Sequence, residues 1–297
     1  RRSIEAADGD LQATEEELRD VLVSLVAEVA LNYIEVRTRQ AQLAATEANI
    51  AAQSDTFQLA AWRQEAGLSD ELAVQQARYN LENTRSLLPA IRTNLDGALN
   101  RVAVLLGEQP GTLHKELAGE GAIPAPPLKV AVGVPAEALR RRPDVRRTER
   151  QLAAQTARVG VATAALYPRL TLNWSIGLDS LSLGNLFSSG IWTAIGGPSI
   201  TWPIFRGGAI GRQIEVQSAL QEQALIAYET TVLGALEEVE NVLTAYAEEQ
   251  DRREALRAAA AAAGEAAQLA GHKYEAGLTD FTSVLDAQRS LLSFQEQ

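Results

Sequence analysis

Residues 62–78 read WRQEAGLSDELAVQQAR, and residues 272–288 read HKYEAGLTDFTSVLDAQ. Seven of these 17 positions are identical, at a constant spacing of 210 residues. A repeat this long indicates an internal duplication rather than a short solenoid unit. The first copy lacks a counterpart of TWPIFRGG (201–208) ahead of it, and the second stops within a helical pattern at residue 297. We therefore interpret the chain as the middle of a longer one.

Each copy of the repeat ends a long helical pattern. A 4-3-4-3 spacing of mostly apolar residues runs over 18–57 and again over 228–274, without an internal proline. Such spacing predicts coiled-coil helices. The Glu-Ala-Gly-Leu sequence that follows predicts a helix end, because glycine adopts the left-handed backbone conformation without a Cβ clash. With Ser69 or Thr279 expected to cap the next helix, each copy is predicted to be an antiparallel helical hairpin.

The middle of the chain has a different pattern. Residues 169–178 read RLTLNWSIGL, in which apolar and polar residues alternate, and a second alternating stretch ends with SITWPIF at Phe205. No charged residue occurs from 180 to 205. Uncharged alternating strands with terminal aromatics fit a membrane β-barrel, whereas the alternative is one hairpin packed on a helix of a soluble domain. The membrane interpretation assigns an aromatic band to Trp174, Trp192, Trp202 and Phe205.

Charge argues against nucleic acid as a partner. The net charge is −11, so bulk attraction to nucleic acid is not expected. Six arginines between residues 140 and 150 nevertheless form a local basic cluster. We interpret this cluster as the face of a helix that starts at Pro143, rather than as an anion or nucleic-acid site, because the surrounding charge is acidic.

The sequence contains no recognisable catalytic or metal-binding motif. It has no cysteine, and its two histidines, His114 and His272, lack a second ligand at metal spacing. Neither a nucleophile elbow nor a phosphate-binding loop occurs. No run of 18 apolar residues predicts a transmembrane helix. We therefore expect no enzyme activity, no cofactor and no metal site.

Several stretches of the chain match one protein family. They are LLGEQPGTL (105–113), IPAPP (123–127), VGVPAEALRRRPDVRRTERQLAAQTARVGVATAALYPRLTL (132–172), GPSITWPIFRGG (197–208), the two EAGL sequences and VLDAQRSL (284–291). With these stretches the chain resembles the outer membrane efflux proteins, the TolC-like family, and more closely its NodT/OprM lipoprotein branch. The resemblance covers essentially the whole chain.

The resemblance implies a mainly α-helical fold with a small β part. Long antiparallel coiled-coil hairpins would form an α-barrel, and a β-hairpin would contribute to a trimeric 12-stranded outer-membrane β-barrel. The expected segments are a first periplasmic helical hairpin (1–106), an equatorial irregular segment (107–142), an ascending helix (143–166), a membrane β-hairpin (167–206) and a second periplasmic helical hairpin (207–297).

The function implied by the resemblance is that of an exit duct. Such a homotrimer would sit in the outer membrane of a Gram-negative bacterium, in contact with its lipid. A periplasmic adaptor protein would join it to an inner-membrane transporter of the RND or ABC type, and drugs or other small molecules would pass out passively. The alternatives are a type I secretion duct and a soluble coiled-coil scaffold.

The resemblance also implies roles for individual residues. The two tips that would meet the adaptor are Gly67, Leu68 and Ser69 in the first copy and Gly277, Leu278 and Thr279 in the second. Asp286 would line a closed aperture as a ring of three carboxylates that attracts cations, and Arg289 could pair with it. Tyr274 would help to tie the closed helices together. The chain departs from many relatives at Ala73 and Ser283, where acidic gate residues occur in some of them.

Overall fold

The computed structural model describes residues 1–119, 121–124, 136–178 and 192–297. Most of these residues are helical, and one antiparallel strand pair supplies the β part. The prediction of a mainly helical fold with a small β part is therefore confirmed. The chain divides into two compact units, formed by the described parts of 1–21 with 133–239 and of 22–132 with 240–297. We call them the strand unit and the tip unit.

The helices are as long as the heptad spacing predicts. In chain order the elements are α1 (Arg2–Glu65), α2 (Glu71–Leu105), a 3-10 turn (Thr112–His114), α3 (Ala136–Arg141), α4 (Pro143–Ala164), β1 (Arg169–Leu178), β2 (Trp192–Thr201), α5 (Ala209–Glu275) and α6 (Phe281–Glu296). Helices α1 and α5 contain 64 and 67 residues without a break, far more than the average globular helix. Within the described ranges, no helix is both long and apolar enough to cross a lipid bilayer.

Two apolar clusters hold the tip unit together. One contains residues of α1, α2, α5 and α6, namely Ala60, Ala73, Ala77, Tyr274, Phe281, Val284 and Leu285. The other packs α1 and α2 against the 3-10 turn and consists of Val36, Ala98, Leu99, Val102, Ala103 and Leu113. Alanine supplies three of the seven residues of the first cluster and two of the six of the second. These small side chains let helix backbones approach closely, and the larger side chains fill the space that remains.

The segment that follows α2 is anchored to α1 by side chains. The Arg37 guanidinium donates to the carbonyl of Gly119 at 2.6 Å, and the Gln40 amide donates to that of Leu117 at 2.6 Å. These bonds satisfy carbonyl groups that no regular element pairs. Part of the predicted irregular segment is helical, because α3 lies within it, while residues 120 and 125–135 lie outside the described ranges.

In the strand unit, α4 packs closely against the beginning of α1. A Cβ atom on Gly9 would lie 2.9 Å from the Cβ of Ala154, so only glycine permits this spacing. Ion pairs then join the two helices. They are Arg158 with Asp10 at 2.6 Å, Arg146 with Glu16 at 3.8 Å and Arg147 with Glu17 at 3.9 Å. The basic cluster is therefore matched by local carboxylates, which supports its structural interpretation.

An Arg142 network joins the start of α4 to α5. Its guanidinium contacts the Asp144 carboxylate at 2.9 Å and that of Glu238 at 2.6 Å. The Asp144 carboxylate also accepts a hydrogen bond from the Val145 backbone N–H at 2.8 Å. The hydrogen bond from Arg142 is the main cause that holds the pKa of Asp144 below its ordinary value, and the same bond raises the pKa of Arg142.

Replacing Asp144 with asparagine is expected to lower the free energy of unfolding by about 1–3 kcal/mol near neutral pH. Because the folded-state pKa of Asp144 lies below the unfolded value of about 3.9, its stabilisation is present above that pH and is lost as the pH falls through the folded-state pKa. Thermal unfolding of the full-length protein between about pH 3 and pH 7 measures this, with a flatter acid limb expected in the variant.

Glu137→Gln is the matched control, because its partner Arg141 and Glu137 itself have side chains that are 71% and 73% exposed. Such a surface pair contributes at most about 1 kcal/mol. An acid limb that is equally steep in Asp144→Asn and in the parent protein would contradict the role of Asp144.

The strand pair is antiparallel, with Arg169 opposite Thr201 and Leu178 opposite Trp192. The alternation predicts that the second strand continues to Phe205. This prediction is wrong, because β2 ends at Thr201 and Trp202 and the residues after it lie beyond the strand. Proline at 203 lacks the N–H that would continue the ladder. The loop between the strands, residues 179–191, lies outside the described ranges.

Candidate functional site

The two tips have the same backbone geometry. The N–H of Leu68 donates to the Arg63 carbonyl and that of Leu278 donates to the Lys273 carbonyl, both at 2.8 Å. The preceding glycines have φ of 71° and 74°, and their N–H groups donate to the carbonyls of Gln64 and Tyr274, both at 3.0 Å. This pair of bonds is the Schellman motif, in which the left-handed residue is usually glycine. The turn therefore projects Leu68 and Leu278 outward, 68% and 77% exposed.

The residue that caps the helix after each tip differs from the prediction. Asp70 is the N-cap of α2 and accepts from the Ala73 N–H at 3.1 Å, whereas Asp280 is the N-cap of α6 and accepts from the Ser283 N–H at 3.2 Å. We had expected Ser69 and Thr279 in this role. Both lie one residue too early, because the Schellman turn places its last two residues outside the next helix.

Ser283 has a local role at the second tip. Its hydroxyl donates to the Asp280 carboxylate at 2.7 Å, and this bond is the main cause that lowers the pKa of Asp280. The Thr279 hydroxyl in turn donates to Ser283. Ser283 therefore stabilises the start of α6.

Arg63 connects the two copies of the repeat, and the sequence analysis missed it. Its guanidinium donates to the carbonyls of Tyr274 at 2.9 Å and Glu275 at 3.1 Å, and it lies 4.9 Å from the centre of the Tyr274 ring. The last carbonyls of α5 have no partner within the helix, and a positive charge is favourable at this end. The only sequence signal is a basic residue in the last turn of α1.

Tyr274 is buried, but it makes no hydrogen-bonded tie through its hydroxyl. It is 4% exposed and meets Phe281 edge to face at 5.5 Å. Among the described residues its hydroxyl has no hydrogen-bond partner. Ala73 belongs to the same apolar cluster. In this chain Tyr274 therefore holds the helices together by packing and by its contact with Arg63.

Asp286 and Arg289 lie on α6 but do not form the ion pair we expected. The Arg289 guanidinium instead donates to the side-chain carbonyl of Asn80 at 3.3 Å and lies 5.8 Å from the ring centre of Tyr79. Both contacts are on α2. The Asp286 carboxylate is exposed, and within the described ranges no basic group lies within 4 Å of it. An exposed and unpaired carboxylate is available to interact with ions.

The apolar side chains of the strand pair are exposed. Leu170, Leu172, Trp174 and Ile176 share one face of β1, and the register places Ile200 and Trp192 on the same face. The four residues assigned to an aromatic band have exposures of 68% for Trp174, 71% for Trp192, 55% for Trp202 and 90% for Phe205. The Trp202 indole donates to the Leu166 carbonyl at 3.1 Å, so its ring is held beside the strand ends.

The described residues contain no metal-ligand cluster, but the tip unit contains a groove with ionisable side chains. No group of three or more histidine or acidic side chains is arranged within these ranges to hold a metal ion. A groove of the tip unit measures about 820 Å³ and lies between α1, α5 and α6. Small residues and amides form much of its wall, together with the ionisable side chains of Asp55, Glu265, His272 and Glu275.

Comparison with known proteins identifies similar chains. The family model described as outer membrane efflux protein matches residues 1–108 and 134–297. Nodulation protein T of Rhizobium leguminosarum bv. trifolii is 31% identical over 98% of this chain and 62% of its own length. Outer membrane protein OprJ of Pseudomonas aeruginosa is 33% identical over 94% of this chain and 58% of its own length. The chain thus spans about three fifths of these curated relatives.

Solved structures agree with this similarity. A structure of the outer-membrane channel OprN superimposes with a TM-score of 0.91 at 36% identity, over 100% of this chain and 66% of that one. A structure of CusC gives a TM-score of 0.85 at 28% identity, over 99% of this chain and 68% of that one.

Proposed function

Because the chain belongs to the outer membrane efflux protein family, we propose that it forms part of the exit duct of a tripartite efflux pump. It is a TolC-like protein of the NodT/OprM type and is located in the outer membrane of a Gram-negative bacterium, with a helical extension into the periplasm. Relatives named as efflux pump outer membrane proteins support this role. The proposed cargo is drugs or other small molecules.

One observation carries the proposal: helical hairpins and an uncharged strand pair with an exposed apolar face occur in the same chain. Leu172 is 78% exposed and Trp192 is 71% exposed, so in a protein surrounded by water these large apolar side chains would contact the solvent. Lipid covers such a face favourably. A soluble scaffold has no need of it. We propose a homotrimer in which β1 and β2 are two of four strands that each protomer gives to a 12-stranded barrel.

The tips are proposed to bind the adaptor protein. Both present a leucine on a rigid turn, and an exposed apolar residue on a fixed backbone is suited to packing against a helical hairpin. Two tips per protomer would give six per trimer. The inner-membrane transporter of RND or ABC type would then be reached through the adaptor.

The aperture is proposed to lie at Asp286. Three symmetry-related carboxylates would concentrate cations at a constriction. The side chain is exposed, and Arg289 turns to α2 instead of neutralising it. Opening would separate α6 from α2, and the contacts of Arg289 with Asn80 and Tyr79 resist that movement.

Planar bilayer recording of the full-length protein tests both the duct and the aperture. The parent protein is expected to form pores that prefer cations. Asp286→Ala is expected to reduce the cation-to-anion permeability ratio by about twofold or more, because it removes three charges from the constriction. Glu116→Gln removes the same charge at another exposed position of the tip unit and is expected to leave the ratio unchanged. Absence of pores would refute the duct, whereas pores unaltered by Asp286→Ala would refute only the aperture.

A further inference from the structure

The strand unit contains a cavity of about 780 Å³ at the helix-side end of the strand pair. Among the residues that line it are Arg2, Arg169, Arg206, Thr171 and Thr201. No carboxylate lines it. A concave space whose charged groups are all basic differs from the rest of this acidic chain.

Two of these arginines have no carboxylate partner among the described residues. Arg2 pairs with Glu5 at 2.8 Å. For Arg169 and Arg206, no carboxylate oxygen lies within 4 Å among the residues that the structure describes. The sequence explains why: between residues 150 and 214 the chain has five arginines and a single carboxylate, Asp179, which lies outside the described ranges.

The cavity lies on the polar face of the strand pair. Arg169 and Thr171 alternate with the apolar residues of β1, and Thr201 is the register partner of Arg169. In a membrane barrel the apolar face meets lipid and the other face meets the water-filled interior. On the proposed duct function, on which this inference rests, the cavity therefore opens to the inside of the duct.

We propose that Arg169 and Arg206 form an oxyanion-binding site on the inner wall of the duct. Guanidinium groups bind phosphate and carboxylate oxygens through paired, charge-assisted hydrogen bonds. The hydroxyl of Thr201 supplies a further donor on the same wall, whereas that of Thr171 donates to the Ser199 carbonyl at 3.4 Å. The ligands are solutes that carry phosphate or carboxylate groups, and repeated around a threefold axis the site adds an anion-attracting ring to the duct.

The test uses the full-length protein and the double variant Arg169→Gln/Arg206→Gln. In planar bilayers the anion-to-cation permeability ratio is expected to fall by about twofold or more in this variant, the opposite sign to Asp286→Ala. By titration calorimetry at low ionic strength, the affinity for inorganic pyrophosphate is expected to fall by about tenfold or more. The charge-conserving double variant to lysine is expected to retain most of the permeability ratio.

Arg212→Gln is the matched control, because Arg212 pairs with Glu215 at 2.8 Å and does not line the cavity. An equal loss in this control, or a parent protein that binds no pyrophosphate, would overturn the site. Calorimetry does not require conduction. A protein that forms no pores but binds pyrophosphate through these arginines would refute the duct and retain the site, whereas pores with unchanged permeability and affinity would refute the site alone.

Discussion

Substituting aspartate for Leu278 is expected to abolish efflux while leaving the trimer intact. Leu278 is 77% exposed at the second tip, and its backbone N–H, which every residue except proline provides, makes the bond that closes the turn. The fold therefore tolerates the change. Binding of the tip to the adaptor would not tolerate it, because a carboxylate placed in an apolar contact loses its hydration without gaining a hydrogen-bond or ion-pair partner. We expect drug susceptibility equal to that of a strain lacking the protein.

Drug susceptibility and dye accumulation in complemented cells measure this loss, and native electrophoresis of the extracted protein checks the trimer. Leu278→Met is the control, since it keeps the apolar contact and is expected to retain efflux. Leu68→Asp tests whether the first tip docks in the same way. Full resistance in cells that carry Leu278→Asp would exclude the second tip as an adaptor contact.

Replacing Phe281 with alanine is expected to have the largest effect on local stability. Phe281 is 5% exposed, packs edge to face on Tyr274 at 5.5 Å and belongs to a cluster otherwise rich in alanine. Truncation of a buried phenylalanine costs about 3–5 kcal/mol, because small neighbours cannot fill the space that it leaves. The first turns of α6 would then open more often.

Hydrogen exchange of the full-length protein measures this opening directly. Amides in the first half of α6 are expected to exchange about 100-fold faster or more in Phe281→Ala. Tyr274→Phe is the matched control. It keeps the ring and removes only a hydroxyl that has no partner among the described residues, so exchange should change little. Unchanged exchange in Phe281→Ala, or equal acceleration in both variants, would contradict the packing role.

Much of the fold could be predicted because it depends on short-range patterns. The heptad spacing predicted α1 and α5, the Glu-Ala-Gly-Leu sequences predicted both turns, and strict alternation predicted β1. The caps were misassigned by one residue. A preference for small polar residues at helix starts does not separate Ser69 from Asp70, whereas the hydrogen bonds of the turn do.

The candidate site could be predicted only in part, since its partners are distant in sequence. Heptad spacing shows which side of a helix is buried but not which side chain across the interface each residue meets. Arg63 and Tyr274 are 211 residues apart, and Arg289 and Asn80 are 209 apart. Spacing on one helical face predicts a contact of Arg289 with Asp286, but the Arg289 guanidinium donates to Asn80 on α2 instead.

The shared turn at the two tips has a consequence for how the halves of this protein can evolve. A glycine with φ near +70° restricts substitution whatever surrounds it, so both copies retain the same main-chain bend. Other positions of the repeat carry no such restriction, and at one of them the copies differ: Arg63 extends to the other copy, whereas Lys273 occupies the equivalent place in α5. One copy thus supplies the side chain that connects the two tips, while both copies keep the same bend.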